Sequence, residues 1–255
     1  MKRIASALAC FSGACGFAAW LLPSGPAIAA SVAAHHMIVA AEPDAAEAGL
    51  MMLRSGGSAV DAAIAAQMVL TLEEPQSSGI GGGAYLIVSD GAQVQAYDGR
   101  ETAPASARPE MFLDRNGRPR PHEDAVPGGL SVGVPGAVRV LALAHAAHGK
   151  LPWARLFEPA ISLAENGFKV PPRLAIELAD GGPDLAAMPD IRASFFHPDG
   201  TPIQRGEVWH NEKLARTFRL IAQGGSDAFY NGAIASDIVN AVAMAPMNPA
   251  AALTL

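Results

Sequence analysis

Glu74-Pro-Gln-Ser-Ser-Gly-Ile-Gly-Gly-Gly83, followed by two apolar runs and then Asp98-Gly-Arg-Glu-Thr-Ala-Pro104, is the stretch whose reading decides the fold. A helical pattern, Ala59 to about Leu72 and apolar nearly all round, ends where it begins. Ala84-Tyr-Leu-Ile-Val-Ser89 and Ala92-Gln-Val-Gln-Ala-Tyr97 read as strands joined at Asp90-Gly91, a favoured two-residue hairpin pair. Helix, glycine turn, strand is the reverse of a dinucleotide fingerprint, in which a strand leads in and a helix N-terminus meets the phosphate. Gly79–Gly83 therefore reads as backbone that passes close to a neighbouring element or ligand. The first strand is apolar throughout, which predicts cover on both faces; the second alternates. With 50% hydrophobic and 16% charged residues, the composition argues for a packed α/β-type enzyme scaffold.

Upstream, His35 to Ala41 is a predicted strand. Pro43 opens a helix whose first turn carries Asp44 and Glu47, and Gly56-Gly57 closes it. Ser58 caps the next helix, with Asp61 three residues on in a box-like arrangement. Downstream, Ala105–Gly129 lacks periodicity and reads as a long loop with a short helix near Arg108–Leu113. Leu130–Val134 is a short extended run. Helices are predicted at Ala137–His148 and at Pro152–Asn166, the second kinked by Pro159. Asp180–Arg205, rich in proline and glycine, is expected to be irregular. Helices at Glu212–Gln223 and Ala233–Ala243 complete the pattern.

The first thirty residues read as an export address. Lys2 and Arg3 precede nineteen uncharged residues, Ile4–Leu22, then helix breakers and the small-residue pair Ala27-x-Ala29. A retained membrane anchor is the competing reading, weakened by Gly13, Gly16 and the many small residues. Cys10 and Cys15 both fall inside this segment, so the expected exported chain, residues 31–255, has no disulfide, thiol nucleophile or cysteine metal site. Without Lys2 and Arg3, 16 basic residues face 24 acidic ones, a net charge of −8 that argues against nucleic acid as a partner.

Several patterns invite chemistry. Gly129-Leu-Ser131-Val-Gly133 matches a nucleophile elbow, but Pro127-Gly128 precedes it and Val134-Pro135-Gly136 delays the helix that an elbow requires at once. His145 and His148 lie three apart on one helical face without a nearby Glu, and read as surface histidines before a zinc pair. His35 and His36 alternate across a strand and cannot easily share a metal. Neither a metal nor a cofactor is called for. Arg100 leaves a strand end beside a glycine. A guanidinium there can grip a carboxylate through two parallel hydrogen bonds, or it can be a surface arginine paired with Asp98 or Glu101. Spacing alone leaves both open.

Taken in order, Gly56-Gly-Ser-Ala-Val-Asp-Ala-Ala-Ile-Ala65, Pro75–Gly83, Asp98–Pro104, Val134-Pro-Gly136 and Asp227-Ala-Phe-Tyr-Asn-Gly232 resemble the γ-glutamyltransferase (γ-glutamyl transpeptidase) family, over about Ile38 to the C-terminus. The resemblance implies an α+β fold, that of an N-terminal-nucleophile hydrolase with an αββα sandwich. It also implies a precursor that cleaves itself before a threonine. That threonine then attacks the γ-glutamyl carbonyl of glutathione or related compounds, with its own α-amine as base. An oxyanion hole in the small subunit stabilises the tetrahedral stage. The family's Arg-Glu-x-Ala-Pro arginine, which grips the substrate α-carboxylate, corresponds to Arg100.

The pattern also departs from the family. Thr71, Thr102, Thr201, Thr217 and Thr254 all lack the family's Thr-Thr-His-like context. The expectation is a truncated N-terminal portion of the large subunit, with an incomplete sandwich and no catalytic residue of its own. Such a chain would supply part of the pocket, be inactive alone, and need the missing C-terminal part and small subunit. It would be periplasmic or secreted, with no stable membrane anchor. A β-lactam side-chain acylase, a non-catalytic γ-glutamyl-binding fragment and a serine hydrolase at Ser131 remain as alternatives.

Overall fold

The computed structural model describes residues 32–245. The expected export segment and Thr254 lie outside them. The chain divides between His35 and His36. The first unit contributes Val32–His35 to the described residues, without helix or strand. The second holds all the elements that follow.

Its centre is the helix pair α1 (Pro43–Arg54) and α2 (Ala59–Glu73). Eleven of the fifteen residues of α2 are buried, as its all-round apolar pattern predicts. The capping box forms in full: Ser58 Oγ accepts from Asp61 N at 3.1 Å, and Asp61 Oδ2 accepts from Ser58 N at 2.8 Å. The same Oδ2 accepts from Lys150 N at 2.9 Å and Leu151 N at 3.1 Å, which ties the start of α2 to the turn after α5 (Ala137–His148).

A short helix α3 (Pro75–Ser78) follows α2 and leads through the glycine turn to β1 (Ala84–Ser89) and β2 (Val94–Gly99). The two strands pair antiparallel in the register Ala84 to Gly99 through Ser89 to Val94. The loop is four residues long rather than two, because the Asp90 carboxylate accepts from Ala92 N and Gln93 N and folds the chain into an Asx-type turn. Those bonds hold the Asp90 carboxyl below its usual range. Cover on both faces of β1 is not found. Ala84, Leu86 and Val88 pack inward against the core, while Tyr85 and Ile87 are 68% and 71% exposed. Residues 37–41 also depart from expectation: they form no strand and join no sheet among the described residues. Cover on both faces of β1 needs a second layer, and the described residues supply only one.

Beyond the hairpin, the chain passes through a 3-10 turn at Pro109–Phe112, α4 (His122–Ala125) and a 3-10 turn at Gly129–Ser131 before α5. The last of these replaces part of the expected extended run, and Val134 then bridges to Thr102. The predicted helix at 152–166 is two pieces, a 3-10 turn at Trp153–Phe157 and α6 (Glu158–Asn166), with Pro159 in the first turn of α6 rather than at a kink. Next come β3 (Phe168–Lys169), α7 (Pro172–Asp180), α8 (Gly182–Ala186), α9 (Pro189–Phe195) and β4 (Val208–Trp209), which pairs antiparallel with β3. Part of the Asp180–Arg205 region expected to be irregular is thus helical, in α8 and α9, and Pro189 opens a helix instead of breaking one. A second small core of Val170, Leu174, Leu178, Phe196 and Ile203 sits there.

The strongly amphipathic α10 (Glu212–Gly224) buries Ala215, Phe218 and Ile221, and Asn211 caps it by accepting from Leu214 N at 3.0 Å. The short α11 (Asp227–Tyr230) and α12 (Ala233–Ala243) close the described residues. The described residues form a helix-rich α+β structure with two two-stranded sheets. No helix among the described residues is long and apolar enough to cross a membrane.

Candidate functional site

The site is built from glycines that bring four backbone segments together. The Gly82 carbonyl accepts from both Gly136 N and Ala137 N at 3.0 Å, which pins the glycine turn to the start of α5. The Ser78 carbonyl accepts from Gln67 Nε2 at 2.6 Å and Thr71 Oγ1 at 2.8 Å, which pins the same turn to α2. Thr102 and Val134 exchange two backbone bonds of 3.3 and 2.9 Å, closing the far side. A Cβ on Gly83 would lie 2.6 Å from both Glu101 Oε2 and the Gly99 carbonyl. One on Gly136 would meet the Gly99 carbonyl and lie 3.0 Å from that of Arg100. None of Gly79, Gly81, Gly82 and Gly83 has positive φ, so close approach and not turn geometry is what Gly83 supplies. Gly81 faces open space.

Arg100 emerges from this junction at the end of β2. Its amide donates to Asp98 Oδ1 at 3.0 Å, and its side chain is 52% exposed. Nη2 lies 2.9 Å from Glu101 Oε2. The contact is an ion pair by distance but out of line for a hydrogen bond, since Oε2 is buried and has no hydrogen-bond partner. The surface-pair reading of Arg100 is therefore present in the structure without using up its five donors.

Two clefts meet at this side chain. One, of about 550 Å³, is walled by Gln67, Ser77, Ser78, the glycine turn and Glu101. The other, of about 590 Å³, is more apolar and runs past Thr102, Met111, Phe112, Leu130 and Ser131. Arg100, Glu101 and Gly81 border both. A third cleft, of about 400 Å³ between α1 and α6, is walled by Asp44, Glu47 and Glu158 and presents no cation to an anionic ligand.

The remaining candidates are accounted for by local bonds. Ser131 Oγ donates to the Val126 carbonyl at 2.5 Å, and no imidazole is bonded to it, so the elbow lacks its base. His145 is not a free surface histidine. Its Nε2 donates to the Leu151 carbonyl at 2.9 Å and lies 3.5 Å from Asp61 Oδ1, with Trp153 edge-on to its ring. His148 Nε2 is 2.8 Å from Tyr97 Oη and 3.1 Å from Gln95 Oε1. Among the described residues no cluster of three or more His, Cys, Asp or Glu could hold a metal. Thr71, Thr102, Thr201 and Thr217 each have their nitrogen in a peptide bond, so none offers the free amine that a threonine nucleophile needs as base.

Sequence reasoning missed the groups that hold the site. Asp61 was visible as a cap, but not its bonds to the end of α5. Tyr230 and Arg139 join the Asp227–Gly232 and Val134–Gly136 segments, a contact across about ninety residues that no local pattern announces.

The sequence profile of the family described as Gamma-glutamyltranspeptidase matches residues 45–248. The glutathione hydrolase proenzyme of Bacillus subtilis is 40% identical over 210 residues, covering 81% of this chain and 35% of that protein. The acylase ACY 1 proenzyme of a Pseudomonas species is 39% identical over 203 residues, covering 77% and 36%. The crystal structure of Helicobacter pylori gamma-glutamyltranspeptidase superposes with a TM-score of 0.80 at 30% identity, over 84% of this chain and 61% of that one. The chain spans about a third of the length of the curated relatives it matches. A fold shared at that score, and a family profile that covers most of the chain, join the motifs around Arg100 to one conclusion: this chain belongs to the γ-glutamyltranspeptidase family.

Proposed function

We propose that residues 31–255 supply the carboxylate-binding part of a γ-glutamyl hydrolase or transferase site, with Arg100 gripping the α-carboxylate of a γ-glutamyl compound such as glutathione. The observation that carries this reading is the half-exposed guanidinium of Arg100 at the meeting of two clefts, on a strand end whose backbone packs against Gly83 and Gly136. A packed backbone under the arginine limits what a bidentate grip must order on binding. The Glu101 charge beside it lowers the cost of an unliganded cation and is exchanged for the ligand carboxylate on binding.

The nucleophilic threonine and the small-subunit oxyanion hole belong, on this reading, to polypeptide outside these residues, so the chain alone binds without turnover. Export through residues 1–30 places the assembled protein in the periplasm or outside the cell. The relative named as an acylase, and a similar structure titled cephalosporin acylase, support a second reading, in which the same clefts take a β-lactam side chain.

The test pairs two assays on the purified chain. Calorimetry should show glutathione binding that weakens about tenfold or more in Arg100→Ala, since a charged hydrogen-bonded partner is lost. γ-Glutamyl-p-nitroanilide should release no p-nitroaniline. Turnover that Arg100→Ala abolishes would overturn the binding-only assignment, and glutathione binding that Arg100→Ala leaves unchanged would remove Arg100 from the site.

A further inference from the structure

The Tyr230 hydroxyl donates to the Pro135 carbonyl at 3.0 Å and accepts from Arg139 N–H at 3.1 Å. Its ring is fixed as well. The Arg139 guanidinium lies 4.6 Å from the ring centroid, and Nη1 donates to Ser226 Oγ and Asp227 Oδ1, each at 3.1 Å. Phe229, 2% exposed, packs edge-on to Tyr230 with centroids 5.0 Å apart. One hydroxyl therefore bridges two backbone groups that bracket the first turn of α5.

Those backbone groups are next to the seat of Arg100. Gly136, bonded covalently to Pro135, donates to Gly82 and packs on Gly99 so closely that no Cβ fits between them. Val134, on the other side of Pro135, exchanges two backbone bonds with Thr102, two residues beyond Arg100. Each step from Tyr230 to Arg100 is a bond or a backbone contact without slack. A displaced Pro135 carbonyl must move Gly136 against Gly99, or loosen Val134 from Thr102.

We infer that Tyr230 is a positioning residue for Arg100, its hydroxyl holding the Pro135–Gly136 turn against the Gly99–Arg100 backbone. This rests on the reading that Arg100 grips a carboxylate. A phenyl ring would keep the packing on Phe229 and the stacked guanidinium, so the hydroxyl alone carries the effect. Burial raises the Tyr230 pKa, which keeps the hydroxyl protonated as a donor to Pro135 well above neutral pH.

The experiment compares Tyr230→Phe with Ile203→Val, a change in the separate small core, in the full chain. Calorimetry measures the preference for glutathione over its analogue with the γ-glutamyl α-carboxylate amidated. Hydrogen exchange measures protection of the Thr102, Val134, Gly136 and Ala137 amides against those of the 84–98 hairpin. Tyr230→Phe should cut the carboxylate preference about fivefold to tenfold and speed exchange at those four amides. Ile203→Val should change neither. If Tyr230→Phe behaves as Ile203→Val in both measurements, the inference is wrong. If the wild-type chain shows no carboxylate preference, the Arg100 reading fails. Exchange then decides the Tyr230 link alone: unchanged protection in Tyr230→Phe rejects it.

Discussion

Replacing Glu73 with Gln tests how the core of this chain responds to pH. Glu73 ends α2 and is 2% exposed, with Oε2 lacking any hydrogen-bond partner. Burial pushes its carboxyl from the usual 4.5 up to about 8, reinforced by the Asp44 charge and hydrogen bond and by Glu42 and Glu74. Glu42 is itself raised, first by burial and then by Glu74 and Asp44. Arg173, 3.7 Å from Glu74, is the nearby cation.

A carboxyl raised on folding favours the native state in its protonated form. Its contribution is complete below about 4.5 and is lost as pH rises towards and through about 8. At about 1.36 kcal/mol per pH unit the full span would approach about 5 kcal/mol. Solvent close to this cluster screens the charges, and about 2 kcal/mol is the expected loss between pH 5 and 9. Glutamine keeps the shape and a donor towards Asp44 but cannot ionise. Urea unfolding followed by tryptophan fluorescence should give Glu73→Gln equal to wild type at pH 5 and about 2 kcal/mol more stable at pH 9. The carboxylates held low, at Asp90, Asp114, Glu165, Asp199 and Glu207, titrate below this window and do not confuse it. Equal stability of the two proteins at pH 9 would refute the argument that Glu73 is buried in its neutral form.

Two further substitutions probe the frame around the site. Asp61→Ala removes an acceptor shared by the Ser58, Lys150 and Leu151 amides and should cost about 3 kcal/mol in urea unfolding, because buried donors are left without partners. A loss under 1 kcal/mol would mean that water replaces the carboxylate. Gly99→Ala drives a methyl into Val140 and the Gly136 carbonyl and should cost about 1–3 kcal/mol while weakening glutathione binding together with stability; a silent substitution would show the junction to be loose.

Much of this was legible in the residues. The buried α2, its capping box, the hairpin and the ends of α5 and α10 follow from periodicity, caps and glycines, which are local rules. Arg100 was legible only as a choice between a surface pair and a carboxylate clamp, until the ordered motifs around it supplied a family. The misreadings share a cause. The continuous apolar runs of β1 and of residues 37–41 describe what a strand could bury, not what is there to cover it. Pro189, which opens α9, signals a boundary without saying on which side the helix lies.

By itself, then, the sequence determined the family, through motifs each written in a short run of residues, and the main helices and the hairpin, which follow from local periodicity, caps and glycines. Only the tertiary structure decided why the glycines are there. Gly83, Gly99 and Gly136 are far apart in sequence, and their missing side chains matter only once three backbone segments converge behind Arg100. It also decided that Ser131 is bound to a carbonyl, that His145 belongs to the Asp61 network, and that Tyr230 reaches Pro135. Such contacts depend on the closure of long loops, and no spacing along the chain encodes them.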